Sequence, residues 1–133
     1  MTKPILVWFR RDLRVADNPA LHAAESSGAP VVPIYIRDDA AESDWPDGGA
    51  SRWWLHHALV QMAASLRERG SRLILRQGDA ATVLREVIKE SGAASVHWNR
   101  RYEPALIARD TRLKAMLTEQ GLEVRSHNAA LLF

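Results

Sequence analysis

Five consecutive apolar residues, Ile5-Leu6-Val7-Trp8-Phe9, follow a single short polar lead-in. An amphipathic strand alternates apolar and polar residues; an unbroken apolar run of this length reads as a strand covered on both faces. Such a strand belongs in the middle of a parallel sheet, because the crossovers that return a chain to a parallel strand lay helices on both sides. That one feature predicts a layered α/β architecture, and the rest of the chain follows its rhythm.

Asp17-Asn18-Pro19 supplies an N-cap and a proline for the first turn of a helix that ends near Gly28. Residues 31–36 read as a second strand, in which Pro33 is awkward: proline removes a ladder donor and favours an edge. Residues 37–49 read as a polar loop. A long helix follows, with Leu55, Leu59, Met62 and Leu66 on one face and Gly70 as its stop. Residues 73–75 form the third expected strand. Gly78-Asp79 then turns into a helix carrying Val83, Leu84, Val87 and Ile88. Residues 95–98 form the fourth strand, Pro104 opens a helix with Leu106, Leu113 and Leu117 inward, and residues 123–127 form a weak fifth strand after Gly121. The expectation is a Rossmann-like, doubly wound, five-stranded parallel sheet of order 3-2-1-4-5 in a three-layer α/β/α sandwich.

Length and composition fit one domain spanning residues 1–133. At 47% hydrophobic and 26% charged, a chain of 133 residues has material for a core and lies outside the disordered and collagen-like classes. With no cysteine, a disulfide scaffold, thiolate metal ligation and a cysteine nucleophile are excluded. No apolar run approaches the roughly 20 residues of a membrane span, so no membrane partner is expected and a cytoplasmic, monomeric protein is. The formal charge is only +2, although fifteen of the eighteen cations are arginine. The last residues, Ala129-Ala130-Leu131-Leu132-Phe133, are apolar where a natural terminus is usually polar, which suggests a piece of a longer chain.

The familiar phosphate cradles are missing. The seven glycines fit neither the dinucleotide fingerprint nor the P-loop, and Arg10-Arg11-Asp12-Leu13-Arg14 stands where the first would begin. The five histidines are scattered; His56 and His57 point about 100° apart on a helix and cannot chelate one ion. Structural histidines are expected, and no metal site. In a 3-2-1-4-5 sheet the switch point lies between strands one and four, so the loops Arg10 to Arg14 and Asn99-Arg100-Arg101-Tyr102-Glu103 open onto one crevice, with Asp38 nearby. Guanidiniums there suit an anion or a heterocycle carbonyl, and carboxylates suit ring N–H groups. A structural reading stands beside this one: Asp12 paired with Arg11 or Arg14 fixes the loop, and Glu103 is a helix-start charge. Of five tryptophans, most are expected in the core, Trp8 and Trp98 in buried strands; exposure of Trp45 and Trp53 by excision from a larger partner surface is the alternative reading for those two.

Val7-Trp8-Phe9-Arg10-Arg11-Asp12-Leu13-Arg14, then Asp17-Asn18-Pro19-Ala20-Leu21, resembles the opening of the DNA photolyase and cryptochrome family. Gly78-Asp79, Trp98-Asn99 through Tyr102-Glu103-Pro104, and Arg109-Asp110 match the same family in the same order, so the resemblance covers essentially the whole chain. It is nearest to bacterial members that act on cyclobutane pyrimidine dimers. The resemblance implies an N-terminal α/β domain whose partner, a C-terminal helical domain binding FAD and UV-damaged DNA, is missing from this chain. In that helical domain light-driven electron transfer from reduced FAD splits the dimer, with the lesion flipped into its pocket. No catalytic residue is therefore expected here.

What the resemblance leaves to this domain is part of an antenna site: a methenyltetrahydrofolate, a deazaflavin or a flavin held between domains. The implied cofactor-binding residues are Arg11, Asp38, Asn99, Arg101 and Glu103. Glu103 falls where folate-binding members place a carboxylate on the pterin, and Arg11 and Asp38 where deazaflavin-binding members contact the ring. Arg101 departs from the acidic residue of deazaflavin-binding members. Two rival readings accompany this one: a cryptochrome photosensory domain, and a free-standing nucleotide-binding α/β domain, which the missing phosphate cradle disfavours.

Overall fold

The computed structural model describes residues 3–10, 12–37, 49–101 and 104–128. In chain order these form β1 (Ile5–Phe9), α1 (Pro19–Ser26), β2 (Val31–Arg37), α2 (Gly49–Glu68), β3 (Ile74–Gln77), α3 (Ala80–Ser91), β4 (Ser95–Asn99), α4 (Pro104–Glu119) and β5 (Glu123–His127). The strands make one parallel sheet of order β3-β2-β1-β4-β5, as the sequence predicts.

Alternation along β1 splits the core into two layers. Ile5, Val7 and Phe9 pack with Ala20, Leu21 and Ala24 of α1 and with Met62 and Leu66 of α2. Leu6 and Trp8 face the other way, onto Val83, Leu84 and Val87 of α3, Val96 and Trp98 of β4, and Leu113 and Leu117 of α4. All five residues of β1 and of β4 are buried; β1 is apolar throughout, whereas β4 alternates Ser95, His97 and Asn99 with Val96 and Trp98 and buries its polar residues too.

The helix starts follow local chemistry. Asn18 caps α1, its Oδ1 accepting the Leu21 N–H at 3.1 Å, with Pro19 in the first turn. Asp79 caps α3 through Thr82 N–H at 3.1 Å. Gly78 before it holds φ +138°, a conformation for which glycine is required, and its N–H donates to Arg37 C=O at 2.9 Å. The Gly78-Asp79 pair is thus the hinge from β3 into α3.

Three expectations need correction. Pro33 is buried in β2 between β1 and β3, not on an edge; the β2–β3 ladder starts at Ile34, one residue later, so the proline precedes that pairing. The third strand runs two residues further than its apolar run suggests, to Gln77, because its register follows β2. On α2 only Met62 and Leu66 of the predicted stripe are buried; Leu55 and Leu59 are half-exposed. No helix among the described residues is long and apolar enough to cross a membrane.

Candidate functional site

β1 leads into α1 on one face of the sheet and β4 leads into α4 on the other, so the adjacent carboxyl ends of β1 and β4 form the switch point. What the described residues build there is a polar knot beneath the crevice.

Arg10, one residue past β1, is 5% exposed. Its Nη1 donates to both carboxylate oxygens of Asp110 on α4, at 2.8 and 2.7 Å, and its Nη2 donates to the Asn99 carbonyl. The guanidinium lies over Trp8, 4.7 Å from the ring centroid, and 5.8 Å from that of Trp98. Arg109 also lies against Trp8, at 5.2 Å, and approaches Asp110 at 3.5 Å. Trp8 and Trp98 meet edge to face at 5.4 Å. Burial pushes the Arg10 guanidinium below its ordinary range, against the opposing pull of Asp110 and Asp12. Arg10 is therefore turned inward and spent on the fold, a correction to its place among the crevice donors.

Asn99, the last residue of β4, is equally committed. Its Oδ1 accepts the Ala20 N–H at 3.0 Å, and its Nδ2 donates to Asn18 Oδ1 at 2.8 Å and to Asp12 Oδ2. The other oxygen of Asp12 accepts the Arg10 N–H at 2.8 Å. Both amide protons of Asn99 are thus used inside the protein. Asp12 accepts from a backbone N–H and an amide within its loop's surroundings; Arg14 Nε reaches Asp17 C=O at 3.3 Å, and Arg11, the other partner expected for Asp12, lies outside the described residues.

Of the five residues named for a cofactor, Asn99 and Arg101 are described; Arg11, Asp38 and Glu103 lie outside the described residues, as do Trp45 and residues 129–133. Arg101 borders a groove of about 320 Å³ together with Trp98, Arg100, Ile107, Asp110 and Lys114. The exposed Ile107 side chain and three cations in a groove of that size, within the roughly 300–1,000 Å³ of small-molecule sites, can seat a planar anionic heterocycle.

Sequence reasoning missed a second cluster. His97 of β4 and His127 of β5 stack with centroids 5.1 Å apart, with Nδ1 of His97 3.0 Å from Nε2 of His127. Burial lowers the His97 pKa to about 4, helped by His127 and Arg125; His127 is lowered as well. Odd-numbered positions on two adjacent strands were the available signal, since β4 and β5 share one face at those positions. Among the described residues no group of three or more His, Asp or Glu side chains is placed to hold a metal.

Residues 5–133 match the family model described as DNA photolyase. The deoxyribodipyrimidine photo-lyase of Agrobacterium fabrum is 51% identical over 98% of this chain, which covers 27% of that relative. Cryptochrome-1 of Arabidopsis thaliana is 45% identical over 96% of the chain, covering 19% of it. The crystal structure of a bacterial class III photolyase from Agrobacterium tumefaciens superimposes with a TM-score of 0.89 at 51% identity, over 96% of this chain and 26% of that one. The chain thus spans about a quarter or less of the length of these relatives. The arginine loop after β1, the Gly-Asp hinge, the Asn99 knot and the Arg10–Asp110 pair fall inside the matched span, and the chain belongs to the DNA photolyase family.

Proposed function

We propose that this chain is the N-terminal antenna domain of a deoxyribodipyrimidine photolyase, a light-driven, FAD-dependent enzyme that repairs cyclobutane pyrimidine dimers in DNA. FAD and the damaged DNA are bound by a C-terminal helical domain, and the α/β domain holds one wall of the antenna site. The observation that carries this reading is the knot at the switch point. Arg10, Asp12, Asn18, Asn99 and Asp110, from four separate motifs, are bonded to one another. In the sequence Arg11 lies between Arg10 and Asp12, Arg101 and Glu103 follow Asn99 by two and four positions, and Asp38 comes directly after β2.

Arg11, Asp38, Arg101 and Glu103 hold the antenna in this reading, and Asn99 acts by bonding the end of β4 to the segment after β1. When bound, the antenna absorbs light and passes its excitation to FAD. The groove beside Arg101 suits a folate, a deazaflavin or a flavin: Ile107 offers an apolar contact and the cations offer partners for carbonyls and carboxylates. The Glu103 carboxylate suits the two N–H donors of an aminopyrimidinone edge.

In the full-length protein, Glu103→Gln is expected to lower the antenna absorption band per FAD while repair under direct FAD excitation stays near wild type. An unchanged band with impaired repair would make Glu103 structural. The 133-residue chain is expected to give no dimer repair under blue light with added reduced FAD, beyond the FAD-only control. It is also expected to bind duplex DNA weakly, because a net charge of +2 leaves few cations for phosphates. Submicromolar, salt-sensitive binding in a filter or anisotropy assay would contradict that.

A cryptochrome reading also has an observation behind it, the 45% identity to Arabidopsis cryptochrome-1. The same full-length repair assay separates the two, since a photosensor carries flavin without splitting dimers.

A further inference from the structure

A helix lying on a sheet buries one stripe and gives its other faces to water. The C-terminal half of α2 does this with Met62 and Leu66. The half before it does not: from Trp53 to Gln61 no residue is buried. Trp53 is 63% exposed, Trp54 47% and Val60 53%, while Leu55 and Leu59 are half-exposed. The Trp53 indole rests on the His57 imidazole, with centroids 4.1 Å apart. Trp53, His57 and Val60 follow one another at helical spacing on one flank, and Trp54 lies about 100° round the axis. Residues 53–64 contain no Asp, Glu, Lys or Arg, whereas α3 carries Arg85, Glu86, Lys89 and Glu90. Tryptophan-rich, charge-free surface is the composition of an interface core, not of a solvated helix.

Position adds to this. α2 follows β2, so its exposed half stands toward the carboxyl ends of the strands, the end that holds the switch-point crevice. Ile107 in the first turn of α4, 45% exposed, stands at the same end.

We propose that the stretch of α2 from Trp53 to Gln61 is the surface on which the C-terminal helical domain of the full-length polypeptide docks, with Trp53, Trp54 and Val60 as its anchors. This rests on the reading of the chain as the N-terminal domain of a photolyase. The occupant follows from size. The chain covers 27% of its photolyase relative and 26% of the solved class III chain, so nearly three quarters of such a polypeptide lies outside it. A small chromophore covers one ring face, whereas this helix presents apolar side chains round its circumference, which takes a surface with its own groove.

Hydroxyl-radical footprinting of the full-length protein, read by mass spectrometry, tests the proposal. Trp53 is expected to oxidise at least roughly tenfold more slowly than in the urea-unfolded protein, independent of protein concentration and of antenna content. Val60→Glu, at an exposed position of this domain, is expected to restore Trp53 oxidation. Oxidation of Trp53 near the unfolded rate overturns the proposal. Protection lost on dilution assigns the face to a second copy, and protection lost on stripping the antenna assigns it to the chromophore; either overturns it. FAD content and dimer repair, measured on the same preparation, score the photolyase reading separately. Protection without FAD or repair sinks that reading and leaves the docking surface, and active repair with an exposed Trp53 does the reverse.

Discussion

Asp110→Ala is expected to cost this domain about 3–5 kcal/mol, the penalty for stranding a buried charge. Arg10 is 5% exposed and packs against Trp8 and Trp98, so its charge loses its main partner where little water reaches it. Arg109 loses its acidic neighbour in the same step. With domain stabilities of about 5–15 kcal/mol, such a loss removes roughly a fifth of the total at the least. Urea unfolding of the 133-residue chain, followed by tryptophan fluorescence from Trp8 and Trp98, reads it directly. The double replacement Arg10→Met with Asp110→Leu is expected to lose less than Asp110→Ala alone, because both charges leave together. A single variant within about 1 kcal/mol of wild type would show that the pair is solvated and the knot is not a keystone.

Acid is expected to weaken the domain through the histidine pair. The His97 pKa is about 4 in the folded chain against an ordinary 6.5. Between those values the unfolded chain takes up a proton that the folded chain refuses, so stability present above pH 6.5 drains away as pH falls toward 4. The full interval corresponds to at most about 3 kcal/mol. The groups facing His97 set the direction: burial first, then His127 and the Arg125 cation, oppose protonation, and Glu123 favours it. Lys3 lines the same hollow, together with Ser27 at the end of α1. His97→Gln is expected to flatten the wild-type slope between pH 6.5 and 4 in urea titrations. Carboxylates elsewhere contribute equally to both proteins, so the difference between the curves isolates the pair. Identical slopes would place the proton uptake at other groups.

The class of fold is legible because its signals are local. Five apolar residues in a row, an Asn-Pro helix start, a Gly-Asp hinge and leucines three or four apart each act through their immediate neighbours. Together they are enough to order the elements and to predict a 3-2-1-4-5 sheet. Even there, the strand bounds that slipped are those set by pairing: β3 extends to Gln77 because β2 is its template, and Pro33 is tolerated because that pairing starts after it.

The roles of side chains at the switch point were not legible in the same way. Arg10 and Arg14 look alike in a basic loop, yet one is buried on Asp110 one hundred residues away and the other lies exposed against Asp17. Asn99 reads as a crevice donor until Asp12 and Asn18 take both its protons. His97 and His127, thirty residues apart, become partners only when β4 and β5 pair. The doubly wound α/β fold could be read from the chain alone, since periodicity, caps and turns act within a few residues, and the motif from Val7 to Arg14 carried the resemblance to the photolyase family. Which charges the fold consumes was decided only by tertiary structure, because desolvation and hydrogen-bond geometry depend on groups that long-range packing brings together.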